Sequence, residues 1–155
     1  MLILPSAASI LFHAVIPGAG ASGAKLDTAY LEFVNGSAVT PPEIYPTESL
    51  EYYERLETSP DRDYLRCKIL SHKVQQNMLD KTVLSFVIVS EGDTGVHGKP
   101  FSATSGSRVY GIALAASQTN NREDILFMRH YYEPEDQVEK PESGAVMIAF
   151  DLQLL

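Results

Sequence analysis

GAVMIAFDLQLL, residues 144–155, decides how the rest of the chain is read. Val146, Ile148, Phe150, Leu152 and Leu154 recur at every second position, with Ala145, Met147, Ala149, Asp151 and Gln153 between them. A period of two puts the first set on one face of a strand and the second on the other. The first face is wholly apolar and requires a core. The second is small and then polar, so it tolerates solvent or a neighbour. The stretch predicts a β-strand and carries no reactive group.

The partners of such a strand are easy to find. Residues 81–90, KTVLSFVIVS, are apolar on both faces, as in a strand covered on two sides. In RVYGIALAA, 108–116, Tyr110, Ile112 and Leu114 alternate with Gly111, Ala113 and Ala115, and a face of small residues admits close approach by another layer. DILFMRHYY (124–132), DYLRCKIL (63–70) and the alternating stretch 28–34 supply further strands. A strand is also expected at 9–16, where Ile10, Phe12 and Ala14 share a face. Asn35-Gly36 and Ser59-Pro60-Asp61 read as turns, and 71–80 as a long polar connection.

One helix is predicted, at 47–56. Thr47 is the N-cap, Glu48 and Glu51 sit in the first turn, and Leu50, Tyr53 and Leu56 lie on one side. The fold class that follows is mainly β: an antiparallel β-sandwich or barrel-like domain with one short helix and an extended N-terminal arm. The arm, with a Gly-rich hinge, covers 1–23, and a single β-sandwich domain covers 24–155.

Composition narrows the function. Twelve Lys+Arg against twenty Asp+Glu give a formal charge of −8, a field that repels phosphate backbones and argues against nucleic-acid binding. The single Cys67 forms no internal disulfide and reads as a small core residue. The apolar run 2–16 lacks a basic n-region, is interrupted by Pro5 and His13, and is too short for a bilayer span, so no membrane anchor is expected.

Motifs that would carry chemistry lack their context. Gly18, Gly20 and Gly23 spell G-x-G-x-x-G, but no strand–helix alternation follows, so the stretch reads as a flexible linker and no cofactor is expected. Glu48, Glu51 and Glu54 are a solvated helix face rather than an acid pair. His97 has no second ligand at metal spacing, and no metal is expected. Asp124, His130 and a serine compose a triad only on paper, with no nucleophile elbow, and an enzyme is not expected.

Several segments resemble small β-rich structural proteins of tailed bacteriophages: Thr28-Ala-Tyr-Leu with its Pro-rich continuation, Glu51-Tyr-Tyr-Glu-Arg-Leu56, Asp63-Tyr-Leu-Arg66, Val109-Tyr-Gly-Ile-Ala-Leu114 and the last strand. The resemblance implies a non-enzymatic virion component, a capsid-decorating (cement) protein or a tail or fibre-attachment accessory. It would be soluble in the host cytoplasm before assembly. Its partners would be further copies of itself, a major capsid protein or a tail protein. Leu2, Ile3, Leu4, Ile10 and Phe12 on the arm are the expected anchors, with Val96, His97 and Phe101 in the 91–106 loop as a second contact. A β-sandwich recognising carbohydrate is the competing class, with Tyr52, Tyr110, Tyr131 and Tyr132 as its aromatic platform.

Overall fold

The computed structural model describes residues 2–3, 26–47, 50–56, 58–76, 82–89, 107–116, 124–139 and 147–154. In chain order the elements are β1 (Leu2–Ile3), β2 (Leu26–Val34), α1 (Leu50–Leu56), β3 (Arg62–Gln76), β4 (Thr82–Val89), β5 (Arg108–Ala116), β6 (Ile125–Tyr131), a 3-10 turn (Pro134–Asp136), β7 (Val138–Glu139) and β8 (Met147–Leu154). The fold is mainly β, with one short α-helix among the described residues.

Five strands in the order β1-β6-β5-β2-β3 make an antiparallel sheet, and β7 pairs with β5 on the side that β6 occupies further along. β3 outruns this sheet. Its first half pairs with β2 from Val34↔Arg62 to Thr28↔Lys68, and its second half pairs with β4 from Ile69↔Ile88 to Gln76↔Thr82, with a register shift between Ile69 and Ser71. β8 then pairs with β4 through eight consecutive residues, from Thr82↔Leu154 to Val89↔Met147, with no shift. The path ends at β1 on one side and β8 on the other, so the sheet is not closed and the barrel expectation is corrected.

The alternation seen in the sequence sorts the side chains. Ala29, Leu31 and Phe33 of β2 join Leu65, Cys67, Val109, Ile112 and Leu114 in the core of the first face. Ile148 of β8 reaches that core, and Ile69 packs against it. Tyr30 of β2 faces the other way with Tyr64, Ala113, Ala115 and Leu126, and Tyr53 and Leu56 of α1 cover them. The small residues of β5 therefore seat the helix. A seven-residue helix is marginal alone; burying Tyr53 and Leu56 contributes roughly 1.5–3 kcal/mol each and holds it on the sheet.

A bulge fits β5 to β2. Glu32 pairs with Gly111 and Phe33 with Val109, which leaves Tyr110 as the extra residue and increases the local twist. Gly36, in the predicted turn, has φ +91°, a conformation that glycine adopts without strain.

Two expectations change. Residues 71–76 are strand, not connection: they pair with β4 from Ser71↔Val87 to Gln76↔Thr82. The described helical residues are Leu50–Leu56, within the predicted span, and Thr47 is exposed. Within the arm, Leu2 and Ile3 form a strand that pairs with Arg129 and Met128 of β6. The expected strand at 9–16, the glycine motif, Leu4, Ile10 and Phe12, and the 91–106 loop with Val96, His97 and Phe101 lie outside the described residues. Among the described residues, no helix is long and apolar enough to cross a membrane.

Candidate functional site

The densest polar chemistry lies between the sheet and α1. Glu32 on β2 and Arg129 on β6 are both fully buried, and Arg129 Nε stands 3.3 Å from Glu32 Oε1. β5 separates their strands, and it crosses between them at Gly111, opposite Glu32, and Ala113, opposite Arg129. Gly111 is required there. A Cβ at this position would stand 2.7 Å from the Tyr131 ring and 3.1 Å from Glu32 Oε2.

Helix α1 completes the enclosure from above. Tyr53 donates its hydroxyl to Glu32 Oε1 at 3.0 Å, and Tyr52 donates to Oε2 at 3.2 Å. Tyr131 donates to the Tyr52 hydroxyl at 3.1 Å, and the Tyr110 and Tyr52 hydroxyls are 3.4 Å apart. The Arg129 guanidinium lies over the Tyr52 ring at 4.3 Å and beside Tyr53 at 5.2 Å, and its Nη1 donates to the Pro46 carbonyl at 2.6 Å. Tyr45 closes the edge against Tyr131, centroid to centroid 4.9 Å. Arg62 sits over the Tyr110 ring at 4.9 Å.

Burial sets the electrostatics. Complete desolvation pushes the Glu32 carboxyl above its ordinary value, against the pull of Arg129 and the phenolic donors. Burial opposes the Arg129 charge, but Tyr53 and Glu32 outweigh it and hold the guanidinium above its usual range. Tyr52, Tyr53, Tyr110 and Tyr131 are raised, chiefly by burial and next by Glu32. These phenols therefore stay protonated, and Tyr52, Tyr53 and Tyr131 serve as donors.

A second tie lies on the same face. Asp124, just before β6, receives Arg66 through both oxygens, Nε to Oδ2 at 2.6 Å and Nη2 to Oδ1 at 3.1 Å, and accepts the Tyr30 hydroxyl at 2.7 Å. A forked arginine–carboxylate pair of this kind fixes orientation as well as charge. Tyr30 in turn stacks on Tyr53 at 4.5 Å, which joins the two polar groups through one aromatic layer.

The residues singled out in the sequence land elsewhere. Asp124 is tied to Arg66 and Tyr30, while His130 lies edge-on to Tyr132, which packs against the first-face core. His130 Nδ1 and Tyr132 Oη are buried and have no hydrogen-bond partner among the described residues. Desolvation accordingly lowers the His130 pKa and pushes the Tyr132 phenol up to about 12. Cys67 is buried in the core. Glu51 and Glu54 are exposed. Among the described residues, no group of three or more His, Cys, Asp or Glu could hold a metal ion.

Tyr110 and Tyr131 are almost wholly buried and offer no open ring to a sugar. Glu32 and Arg129 are not among the residues that the sequence singles out. The signal for them is a single charge of each sign within the runs AYLEFV (29–34) and ILFMR (125–129), in a chain with eight tyrosines and no tryptophan. Chemically, the arrangement holds two opposite charges out of water and ties a short helix, Tyr45 and Pro46 to the sheet. No protein-family model, no curated protein and no solved structure matches the chain.

Proposed function

We propose that the chain is a non-enzymatic structural component of a tailed-bacteriophage virion, a capsid-decorating (cement) protein that docks on a larger assembly. The observation that carries this reading is the inward direction of its polar chemistry. The Glu32–Arg129 and Asp124–Arg66 groups bind helix to sheet and strand to strand, as a rigid docking module requires. The segments that resemble phage structural proteins supply much of this unit: β2, α1, the start of β3 and β5. In the same reading the domain is a two-layer sandwich, with the far half of β3, β4 and β8 as the second layer, supported by the contact of Ile148 and Ile69 with the first-face core.

The arm is the proposed docking element. Leu2 and Ile3 add a strand beside β6, so the arm is suited to extending a sheet edge, in its own domain or a neighbour's. Immunogold labelling of purified virions tests the assignment: label spread over the head is expected. Label confined to the tail would move the protein to the tail-accessory class, and absence from virions would sink the reading. Deleting residues 1–23 should leave a folded domain that no longer joins the virion. A deletion variant that unfolds outright removes the arm's docking role.

A further inference from the structure

Asn35-Gly36, the turn that ends β2, carries a reactive pairing that the virion reading does not use. Both residues are exposed. Asn35 is held from two sides. Its amide N–H donates to the Asp61 carbonyl at 2.8 Å, just before β3, and its side-chain Oδ1 accepts the Ser107 hydroxyl at 2.7 Å, just before β5. The register accounts for the second contact: Val34 pairs with Arg108, so Asn35 and Ser107 stand at the next position of the ladder. Ser107 is fully buried, so its hydroxyl is a fixed donor rather than a solvated one. Gly36 has φ +91°, and a Cβ placed there would meet nothing within 4 Å among the described residues, so the main chain is open on that side.

We propose that Asn35 is a self-modification site, which deamidates through attack by the Gly36 nitrogen while Ser107 activates the amide under attack. The Gly36 nitrogen loses its proton to solvent base and bonds to Asn35 Cγ, which closes a cyclic imide. The Cγ–Nδ2 bond breaks, and the nitrogen leaves as ammonia with a proton from water. Water then opens the imide at either carbonyl and gives aspartate or isoaspartate, with nothing oxidised or reduced. Negative charge gathers on Oδ1 as the ring closes, and a donor already 2.7 Å from that oxygen stabilises it without reorganisation. The two anchors on Asn35 also remove freedom that ring closure would otherwise have to remove. Glycine suits the attacking position because it brings no Cβ into the approach. Either product adds a negative charge to a chain whose formal charge is −8. Isoaspartate also lengthens the main chain by a methylene between β2 and Val39, whose amide Gln137 holds.

The test incubates the full chain at neutral pH and follows it by peptide mapping with mass spectrometry, which reads the amide-to-acid change and separates isoaspartate from aspartate. Wild type is expected to convert at Asn35. Asn35→Gln is expected to stay intact, because its longer side chain closes a ring far more slowly. Ser107→Ala is expected to slow conversion by roughly 2- to 12-fold, the rate equivalent of one lost hydrogen bond. The sign separates activation from mere support: a Ser107 that only held the turn would, once removed, loosen it and speed the reaction. Far-UV circular dichroism establishes that Ser107→Ala is folded. If it is not, wild type in its native state is compared with wild type in urea, and faster conversion in the native state is expected. Three results overturn the proposal: a wild type that stays intact at Asn35, a folded Ser107→Ala that converts as fast as wild type or faster, and a native chain slower than the unfolded one. None of them bears on the virion assignment, which rests on other observations.

Discussion

At the scale of single residues, the Glu32–Arg129 pair is the most exacting part of the molecule. Removing one member of a buried pair strands the other. Arg129→Met is expected to cost about 3–5 kcal/mol in urea denaturation, and adding Glu32→Leu should recover most of it. The pH dependence has a definite sign. Burial raises the Glu32 pKa in the folded state, so its favourable contribution is present below the unfolded carboxylate value and is lost as pH rises through the folded one. Without Arg129 that loss deepens, so the deficit of Arg129→Met should be largest at neutral pH and shrink on acidification. A deficit independent of pH would mean that Glu32 is not the group left behind. Gly111→Ala tests the same centre sterically: a Cβ 2.7 Å from the Tyr131 ring must displace it, at about 1–3 kcal/mol, read as a lowered melting temperature.

At the scale of elements, β7 and the turn before it clip the 37–46 segment to the sheet through one side chain. Gln137 accepts from the Val39 amide at 3.0 Å and donates to the Val39 and Tyr132 carbonyls at 2.6 and 3.0 Å, so its amide group stands in for a neighbouring strand. Gln137→Leu leaves these groups without their partner. A loss of about 1–3 kcal/mol is expected, with faster hydrogen exchange at the Val39 amide; unchanged exchange there would refute the clip. The strands are legible in the sequence because their signal is local: 108–116 and the last strand each show the alternation that pairing with a neighbour then uses. The end of β3 is not. Its residues after Ser71 are mostly polar, and only the partner strand β4 reveals that their backbone is paired. The buried pair is hidden for a related reason. Glu32 alternates with Leu31 and Phe33 like any solvent-facing residue, and its burial depends on a helix that covers that face from elsewhere in the chain.

At the scale of the whole molecule, β2 and β5 form the centre of the five-strand sheet, yet Leu26 pairs with Ala116 and Val34 with Arg108. The consequence is kinetic. During synthesis β2 can zip to β3 early, but its other edge waits until β5 has left the ribosome. Glu32 meanwhile lacks Arg129, which arrives later still. Long-range pairing of this kind places refolding in the millisecond-to-second range rather than the microseconds of a helical bundle. Stopped-flow refolding should fall in that window, and Arg129→Met should mainly speed unfolding if the charge pair closes after the main barrier. An equal slowing of refolding would put the pair inside the folding nucleus. Until β5 docks, the unsatisfied edge of β2 is the nascent chain's exposed aggregation site, and the time a ribosome takes to reach residue 116 sets how long it must be shielded.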